Sequence, residues 1–401
     1  MGPRAPRAAP LVPVLALTAL SSFAAGTATL SIFFVTERPP YGFAPAGQYA
    51  LGLLVGLTYT LGALGAGRLT RALARRAVPP RALLARLVLA LAGLMLVPVL
   101  VPASWALYAV LALYAPLTGV FWPLVEAYVS GGRRAGELRA AIGRFNIVWS
   151  VTLLPSFLIP PLLEDHPGRV FLAVALTHLV SLLCLRRLGS EPGAHAHDET
   201  HLVPAHYREL LRVHRVLHAT SYLVMYALSP YLPTVLARLG VDGRLRGALA
   251  ASWLAARTVG FAVLERWHGW HGRWAVAGVG MALVLGGFAV TLLAPELGAA
   301  GLPCLLVALV AFGSGLAALY TAALYYAFEV AGHEGGGSHE ALIGLGYSIG
   351  PSAGLLVCAL EGGGALAPER RDLALLAVIT TLCLAGALLA WRRRRAPSGA
   401  P

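Results

Sequence analysis

The feature that most constrains this chain is a succession of twelve apolar runs separated by polar breaks. A helix needs about 20 apolar residues to cross roughly 30 Å of hydrocarbon, and most of the runs approach or exceed that length. Little of the chain is left for a water-soluble domain, so the sequence predicts an all-α integral membrane protein. We predict helices over 11–35, 46–66, 82–101, 105–129, 141–161, 170–185, 216–236, 247–265, 274–294, 302–330, 341–360 and 372–391.

Composition excludes several other classes of protein. Charged residues make up 12% of the 401 residues, whereas a soluble domain carries about 25%. The net charge of +13 would suggest a nucleic-acid partner in a soluble protein. Here the arginines lie between apolar runs, where basic residues set membrane orientation, so we predict no nucleic-acid partner. The four cysteines lie in apolar runs without C-x-x-C spacing, which supports neither a metal site nor a disulfide framework.

The arginines are divided unequally between the two sides of the predicted membrane. If the N-terminus is cytoplasmic, 21 of the 31 basic residues fall in cytoplasmic segments and 7 in segments on the other side. Cytoplasmic loops are enriched in Arg and Lys. We therefore expect a multi-pass protein of the inner (cytoplasmic) membrane, in contact with membrane lipids, with both termini in the cytoplasm.

The runs form two groups of six, in residues 1–188 and 215–401, joined by a longer polar linker at 189–214. The linker contains a histidine-rich patch at 195–201, which could bind a metal, although a flexible soluble linker is the simpler interpretation. Its last part, 207–215, has the pattern of a short amphipathic helix at the membrane surface. Two six-helix groups are typical of transporters built from related bundles.

The ends of the fourth and tenth runs are similar, which indicates that the two halves are related. Each places an aromatic residue four positions before a glutamate: Trp122 before Glu126, and Tyr325 before Glu329. We expect both hairpins to face a central polar site, because ionisable residues within membrane segments usually face partner helices or a wet cavity.

The segment between the second and third runs, Gly67 to Arg76, resembles the cytoplasmic loop pattern G-x-L-x-D-R-x-G-R-R of the major facilitator superfamily. The positions in place are Gly67, Leu69, Arg75 and Arg76. Arg71 stands at the Asp position and Ala74 at the second Gly position. Between the eighth and ninth runs, Glu265 and Arg266 resemble the acidic–basic pair of the equivalent loop.

The resemblance covers the whole chain. It implies twelve transmembrane helices in two pseudo-symmetric six-helix bundles, transport by alternating access and loops that help to latch the bundles together. It also implies that the protein is not an enzyme, needs no cofactor and works as a monomer. The first half lacks the Asp of this latch, since Arg71 stands in its place.

The eleventh run carries the pattern G-x-x-x-G-P-x-x-G at Gly346, Gly350, Pro351 and Gly354. It is similar to a pattern of drug/proton antiporters, but in those proteins the pattern lies on the fifth helix. Small residues allow helices to approach closely, so we interpret it as packing at the bundle interface.

In this family the first, fourth, seventh and tenth helices line the cavity. Tyr and Trp side chains at mid-helix need partners for their polar atoms, which favours an aromatic cavity over simple packing. Arg257 is the deepest charge, and burying an unpaired Arg there costs roughly 3 kcal/mol even on a lenient scale. It suits an anionic substrate group, or else a buried acidic partner. The predicted substrate-binding residues are Trp122, Asn146, Trp149, Tyr222, Tyr226, Arg257, Tyr320, Tyr325 and Tyr347.

Three further ionisable residues are candidates for proton coupling or gating. Glu126 and Arg144 lie on consecutive predicted helices, where they could form a structural ion pair or a gate. Glu329 is the corresponding carboxylate of the second half, and a desolvated Glu can carry a proton.

The sequence thus predicts a secondary active transporter of a small organic solute, without a nucleotide-binding loop. Proton-coupled export of an amphipathic or aromatic compound is the first hypothesis. Uptake of a polar or anionic metabolite is the second, and a lipid flippase remains an alternative. A non-transporting scaffold or an intramembrane enzyme is a weaker alternative, because most of the histidines lie outside the predicted helices.

Overall fold

The computed structural model describes residues 8–133, 135–162, 166–193, 203–331 and 336–395. Regular structure in these ranges is helical. The α-helices are α1 (Leu11–Thr29), α2 (Ile32–Thr36), α3 (Pro45–Ala74), α4 (Pro80–Leu100), α5 (Ser104–Ser130), α6 (Ala135–Leu162), α7 (Pro167–Leu185), α8 (Ala205–Leu228), α9 (Leu232–Arg238), α10 (Gly243–Arg266), α11 (Ala275–Leu293), α12 (Gly301–Ala331), α13 (Gly336–Gly362) and α14 (Arg371–Arg395).

The helices account for the twelve predicted membrane segments. Among the described residues, ten segments are long and apolar enough to cross a membrane. One of these ten segments, Ala275–Ala327, contains two helices, α11 and most of α12. The helix α8 is not among the ten because its first half is polar, and with it the number of membrane segments is twelve. The structure differs from the prediction in one further respect: the first predicted segment is divided into α1 and α2, and the seventh into α8 and α9. Pro230 and Pro233 explain the second break, because proline cannot donate the helical hydrogen bond.

The helices pack as two bundles, α1–α7 and α8–α14. In the first bundle, α3 packs on α5, α4 packs on α7, and α1 packs on both α6 and α7. In the second bundle, α10 and α11 pack on α12, and α13 and α14 pack on α8. The bundles meet chiefly through two pairs, α3 with α13 and α6 with α10. The predicted fold class, an all-α protein of two six-segment bundles, is confirmed.

We call the end of the molecule where α7 ends and α8 begins the linker end, and the other the opposite end. At the linker end, the first residues after α7 are held on the first bundle. Tyr128 donates its hydroxyl to the carbonyls of Gly189 and Ser190, at 3.0 and 3.1 Å. Arg81 donates from Nη1 to the Leu188 carbonyl at 3.0 Å. Residues 188–190 therefore belong structurally to the first bundle.

The predicted surface helix at 207–215 is wrong as a separate element. It is the first half of α8, which begins at Ala205 and continues into the membrane segment. Its apolar side is buried: Leu210 and Leu211 pack in a cluster with Trp270 and Tyr326. The histidine-rich patch at 195–201 lies outside the described residues.

The predicted loop motif lies partly on a helix. We predicted the second helix to end at residue 66, but α3 continues to Ala74, because no proline interrupts it before Pro79. Gly67 and Leu69 are therefore helical and exposed, and the exposed Arg75 and Arg76 follow directly.

Candidate functional site

Arg257 lies in the interior between the bundles, surrounded by aromatic rings. It is 1% exposed. Its guanidinium carbon is 4.4 Å from the ring centre of Trp149, 5.1 Å from that of Trp253 and 5.8 Å from that of Phe261. We call these three rings the aromatic box. Trp149 belongs to α6 and the other residues to α10, so both bundles build the surroundings of the charge.

The guanidinium keeps unsatisfied donors. Its Nε and Nη2 atoms are buried without a hydrogen-bond partner among the described residues. The ion pairs of the described part of the chain do not include Arg257. Tyr222, Tyr320 and Tyr347 lie near enough to interact with it electrostatically. A buried donor without a partner carries the full cost of losing water.

A cluster of stacked aromatic side chains continues from the box. Trp149 stacks on Tyr320, with ring centres 5.5 Å apart and planes at 18°. Tyr347 stacks on Tyr226 at 3.7 Å and lies 5.6 Å from Tyr222. Trp149 and Tyr347 stay half-buried although they lie within helices at the bundle interface. Accessible aromatic surface at this depth is what a cavity wall provides.

The structure thus brings together six of the nine predicted substrate-binding residues, namely Trp149, Tyr222, Tyr226, Arg257, Tyr320 and Tyr347. Asn146 lies about one turn before Trp149 on α6, and its buried Oδ1 has no partner among the described residues. Trp122 is buried on α5 and packs on Phe145 at 6.5 Å. Neither residue has a ring or cation contact with Arg257 among the described residues.

Tyr325 does not lie in this cluster. It stacks on His271 at 4.2 Å and packs against Trp270 at 5.2 Å, at the linker end of the second bundle. The reason is helical geometry: five residues beyond Tyr320, a side chain is rotated by about 140° and faces another direction.

A second polar group lies across the interface, built from Tyr59, Glu126 and Glu340. The Tyr59 hydroxyl, on α3, donates to a carboxylate oxygen of Glu340 on α13. The Glu126 carboxyl, on α5, interacts with that of Glu340. Glu126 Oε2 is buried without a hydrogen-bond donor among the described residues. Two carboxyl groups from different bundles therefore face each other in the interior.

The predicted pair of Glu126 with Arg144 does not form in this structure. Arg144 is exposed, and the ion pairs among the described residues do not join it to Glu126. Asn146, two residues further on, is buried. Two residues on a helix differ by about 200°, so α6 cannot turn both side chains inward.

Glu329 takes part in a contact between bundles at the linker end. Arg139 Nη2 on α6 lies 3.4 Å from Glu329 Oε1 on α12, with the Arg139 side chain half exposed. Close by, Glu265 packs directly against Gly143, since its Cγ is 2.8 Å from where a Cβ on Gly143 would be. Arg266 follows it, exposed, at the end of α10.

Sequence reasoning missed the role of Glu340, His339 and Tyr59. His339 stacks on His218 at 4.5 Å, and neither ring nitrogen of His218 has a hydrogen-bond partner among the described residues. The predicted helix began at 341, but α13 begins at Gly336, so both residues belong to a helix. The signal that could have found them is the pair of ionisable residues immediately before an apolar run.

Comparison with known proteins adds the family. A family model described as Major Facilitator Superfamily matches residues 15–355. Curated proteins give no significant match. Among solved structures, the nucleoside transporter NupG is similar with a TM-score of 0.69 at 11% identity, covering 96% of this chain and 99% of that one.

Two other solved transporters share the fold. A bacterial homolog of the human lysosomal transporter Spinster, inward-facing and unoccupied, has a TM-score of 0.68 at 17% identity, covering 96% of each chain. A POT family transporter in complex with 5-aminolevulinic acid has a TM-score of 0.68 at 12% identity, covering 95% of this chain and 94% of that one. At such identities the likeness shows the fold alone.

The family match extends over most of the chain and agrees with the two membrane bundles and with the resemblance of the loop motif. The chain is therefore a multi-pass membrane transporter rather than an enzyme, and it belongs to the major facilitator superfamily.

Proposed function

We propose that the protein moves a small organic solute across the cytoplasmic membrane by alternating access, coupled to protons, as a monomer with both termini in the cytoplasm. The observation that carries this proposal is the group of ionisable residues buried where the bundles meet. Charges within membrane segments are costly and mark substrate and ion pathways. The solute would bind at the aromatic cluster around Arg257, which both bundles build.

The facing carboxyls of Glu126 and Glu340 supply the proton site of this proposal. Two neighbouring carboxylates repel each other, and a single shared proton removes that repulsion. Each bundle contributes one of them, so separation of the bundles would separate the pair and expose it to exchange with water. Proton binding and bundle closure would thereby depend on each other.

Glu329 would serve as a gating contact rather than a proton carrier. Its partner Arg139 comes from the other bundle, and half of the Arg139 side chain is exposed. A pair of this kind at the linker end can break and form again as the bundles move.

Two solute classes fit the site. The stacked rings of Trp149, Tyr320 and Tyr347 suit an aromatic or amphipathic compound, as in proton-coupled export. The guanidinium of Arg257, which has no ion-pair partner in the described part of the chain, favours an anionic metabolite, as in uptake.

A transport assay tests the proposal. Solutes that raise the thermal stability of the purified protein are selected from a metabolite and drug library, and their flux is measured in proteoliposomes under imposed pH gradients. We expect accumulation against a concentration gradient, reversed when the pH gradient is reversed and lost with a protonophore. In Glu340→Gln, exchange of solute at equilibrium should continue while gradient-driven accumulation disappears. Accumulation that ignores the pH gradient would refute proton coupling.

A further inference from the structure

We propose that Arg257 and the Trp149–Tyr320 stack form a binding site for a planar organic anion. Its anionic oxygens would lie on the free donors of the guanidinium and its ring against the indole of Trp149. This inference rests on the proposed transport function and names the substrate class of that site.

The first support is the position of the free donors. Nε and Nη2, the two atoms without partners among the described residues, lie on the same edge of the planar guanidinium. One edge with two parallel N–H groups matches the two oxygens of a carboxylate or phosphate. A buried arginine in a purely structural role would direct this edge at a carboxylate or at backbone carbonyls.

The second support is that the buried acidic groups of the interface, Glu126 and Glu340, interact with each other and with Tyr59 and not with Arg257. Glu340 accepts from Tyr59 and faces Glu126. The described part of the chain gives Arg257 aromatic neighbours and tyrosine hydroxyls, and no ion-pair partner. The aromatic box stabilises the cation in part, because a cation is attracted to the faces of aromatic rings. The rings of the aromatic box do not satisfy the hydrogen-bond donors Nε–H and Nη2–H of Arg257.

The third support is the surface next to the guanidinium. The Trp149 ring packs on Tyr320 at 18° and on the Arg257 guanidinium at 4.4 Å, yet Trp149 stays half-buried, so an accessible part of the indole remains as an apolar wall beside the charge. The buried hydroxyl of Tyr222 lies close enough to the Arg257 guanidinium to interact with it, although it makes no hydrogen bond of normal geometry among the described residues. A flat ring bearing an anionic group would use the wall, the two guanidinium donors and this hydroxyl together.

Binding to the full-length protein in lipid nanodiscs tests the proposal. The probes are benzoate, indole-3-acetate and phenyl phosphate, each paired with an uncharged partner: benzamide, indole-3-acetamide and phenol. Binding is followed by isothermal titration calorimetry and by thermal unfolding. We expect at least one acid to bind about 10- to 100-fold more tightly than its neutral partner, the range expected for a charged hydrogen bond. Preference for phenyl phosphate over both carboxylates would assign the site to phosphates.

Variants of Arg257 and of a control arginine test whether the preference for acids over their neutral partners depends on Arg257. Arg257→Gln should remove the difference between acid and neutral partner, and Arg257→Lys should retain part of it because the charge remains. Arg187→Gln, at an exposed arginine beyond the end of α7, should leave the difference unchanged. The comparison of acid with neutral partner in the unchanged protein stands even if Arg257→Gln fails to fold.

Two outcomes of the binding experiment would overturn the proposal: acids that bind no better than their neutral partners, and an acid preference that persists in Arg257→Gln. Proton-driven flux of a neutral or cationic solute, undiminished in Arg257→Gln, would also overturn the anion site while leaving the transport function standing. If the unchanged protein bound the anions but showed no proton-driven flux of any solute, the transport function would be refuted instead.

Discussion

At the scale of single residues, Tyr59 provides a defined hydrogen bond between the bundles, from its hydroxyl to Glu340. Tyr59→Phe removes this donor with little change of shape. A hydrogen bond to a charged group contributes about 1.5–3 kcal/mol, so we expect the contact between α3 and α13 to weaken by that order. The measurement is gradient-driven solute accumulation, together with thermal unfolding in nanodiscs.

Tyr108→Phe is the matched control. The Tyr108 hydroxyl donates to the Gly47 carbonyl at 2.8 Å, entirely within the first bundle. Both variants should lose some stability, but only Tyr59→Phe should change proton coupling. Equal effects of the two variants on coupling would contradict a role for the hydrogen bond between bundles.

Single residues also show what the sequence can predict about the site. Arg257 was predictable because a charge in the middle of an apolar run has few explanations other than a polar interior. Glu340 was not, since a glycine-rich segment precedes it and hydropathy alone placed the helix start at 341, five residues after its observed start at Gly336. Tyr325 was assigned to the site by analogy with Trp122, but the direction of a side chain depends on the rotation of its helix, which spacing to a glutamate does not reveal.

At the scale of elements, the contact of α3 with α13 depends on glycine. A Cβ on Gly56 would lie 2.4 Å from the carbonyl carbon and oxygen of Tyr347, closer than atoms can approach. We expect Gly56→Ala to force the helices apart at a cost of about 1–3 kcal/mol. Thermal unfolding should show the loss, and flux should fall because the helices separate beside the site.

Gly65 on the same helix provides the control. A Cβ there would meet nothing within 4 Å. Gly65→Ala should therefore keep or slightly raise stability, because Ala favours helix more than Gly does. If Gly65→Ala were as harmful as Gly56→Ala, helix flexibility rather than close packing would explain both.

The glycine pattern on α13 was correctly predicted to serve packing, though its partners differ from the expected ones. Gly354 lies against the ring of Tyr49 in the other bundle, as expected for the interface. Gly346 and Gly350 lie against the backbone of α8 in their own bundle. Sequence shows that small residues permit close approach, but the identity of the approaching helix depends on the arrangement of the whole bundle.

At the scale of the whole molecule, ion pairs join the bundles at both ends. At the opposite end, Arg246 Nη1 lies 3.2 Å from Glu37 Oε2, and at the linker end Arg139 pairs with Glu329. Partly exposed pairs contribute about 0–1 kcal/mol, so Arg246→Ala should shift the population toward opening at the opposite end by no more than about fivefold. Distances between spin labels placed on the two bundles measure this shift.

Glu296→Ala controls for the loss of an ion pair as such. Glu296 pairs with Arg238 at 2.6 Å, within the second bundle. The Glu296→Ala variant should leave the distances between spin labels on the two bundles unchanged. A shift in this variant equal to that of Arg246→Ala would show that the pair of Arg246 with Glu37 has no special part in closing that end.

The global fold was largely predictable, because twelve apolar runs and a loop motif leave few alternatives. The contacts between the bundles were not predictable. The hydrophobic pattern of each half predicts where its own helices lie, but it does not show which helices of the other half they contact. The pairing of Glu126 with Glu340 instead of Arg144 is such a case: the two glutamates are distant in sequence and meet only because α5 and α13 face each other.

The attachment of residues 188–190 to the first bundle also affects the energetics of the transport cycle. Gly193 also packs against Gly131 of the first bundle, and α8 begins at Ala205, so residues 194–204 join the anchored parts and can span at most about 40 Å. Short tethers keep their two ends at an effective concentration of about millimolar. Separation of the bundles at either end would thus never be a true dissociation, and individually weak contacts such as that of Arg246 with Glu37 need only add to the packing of α3 on α13 and α6 on α10.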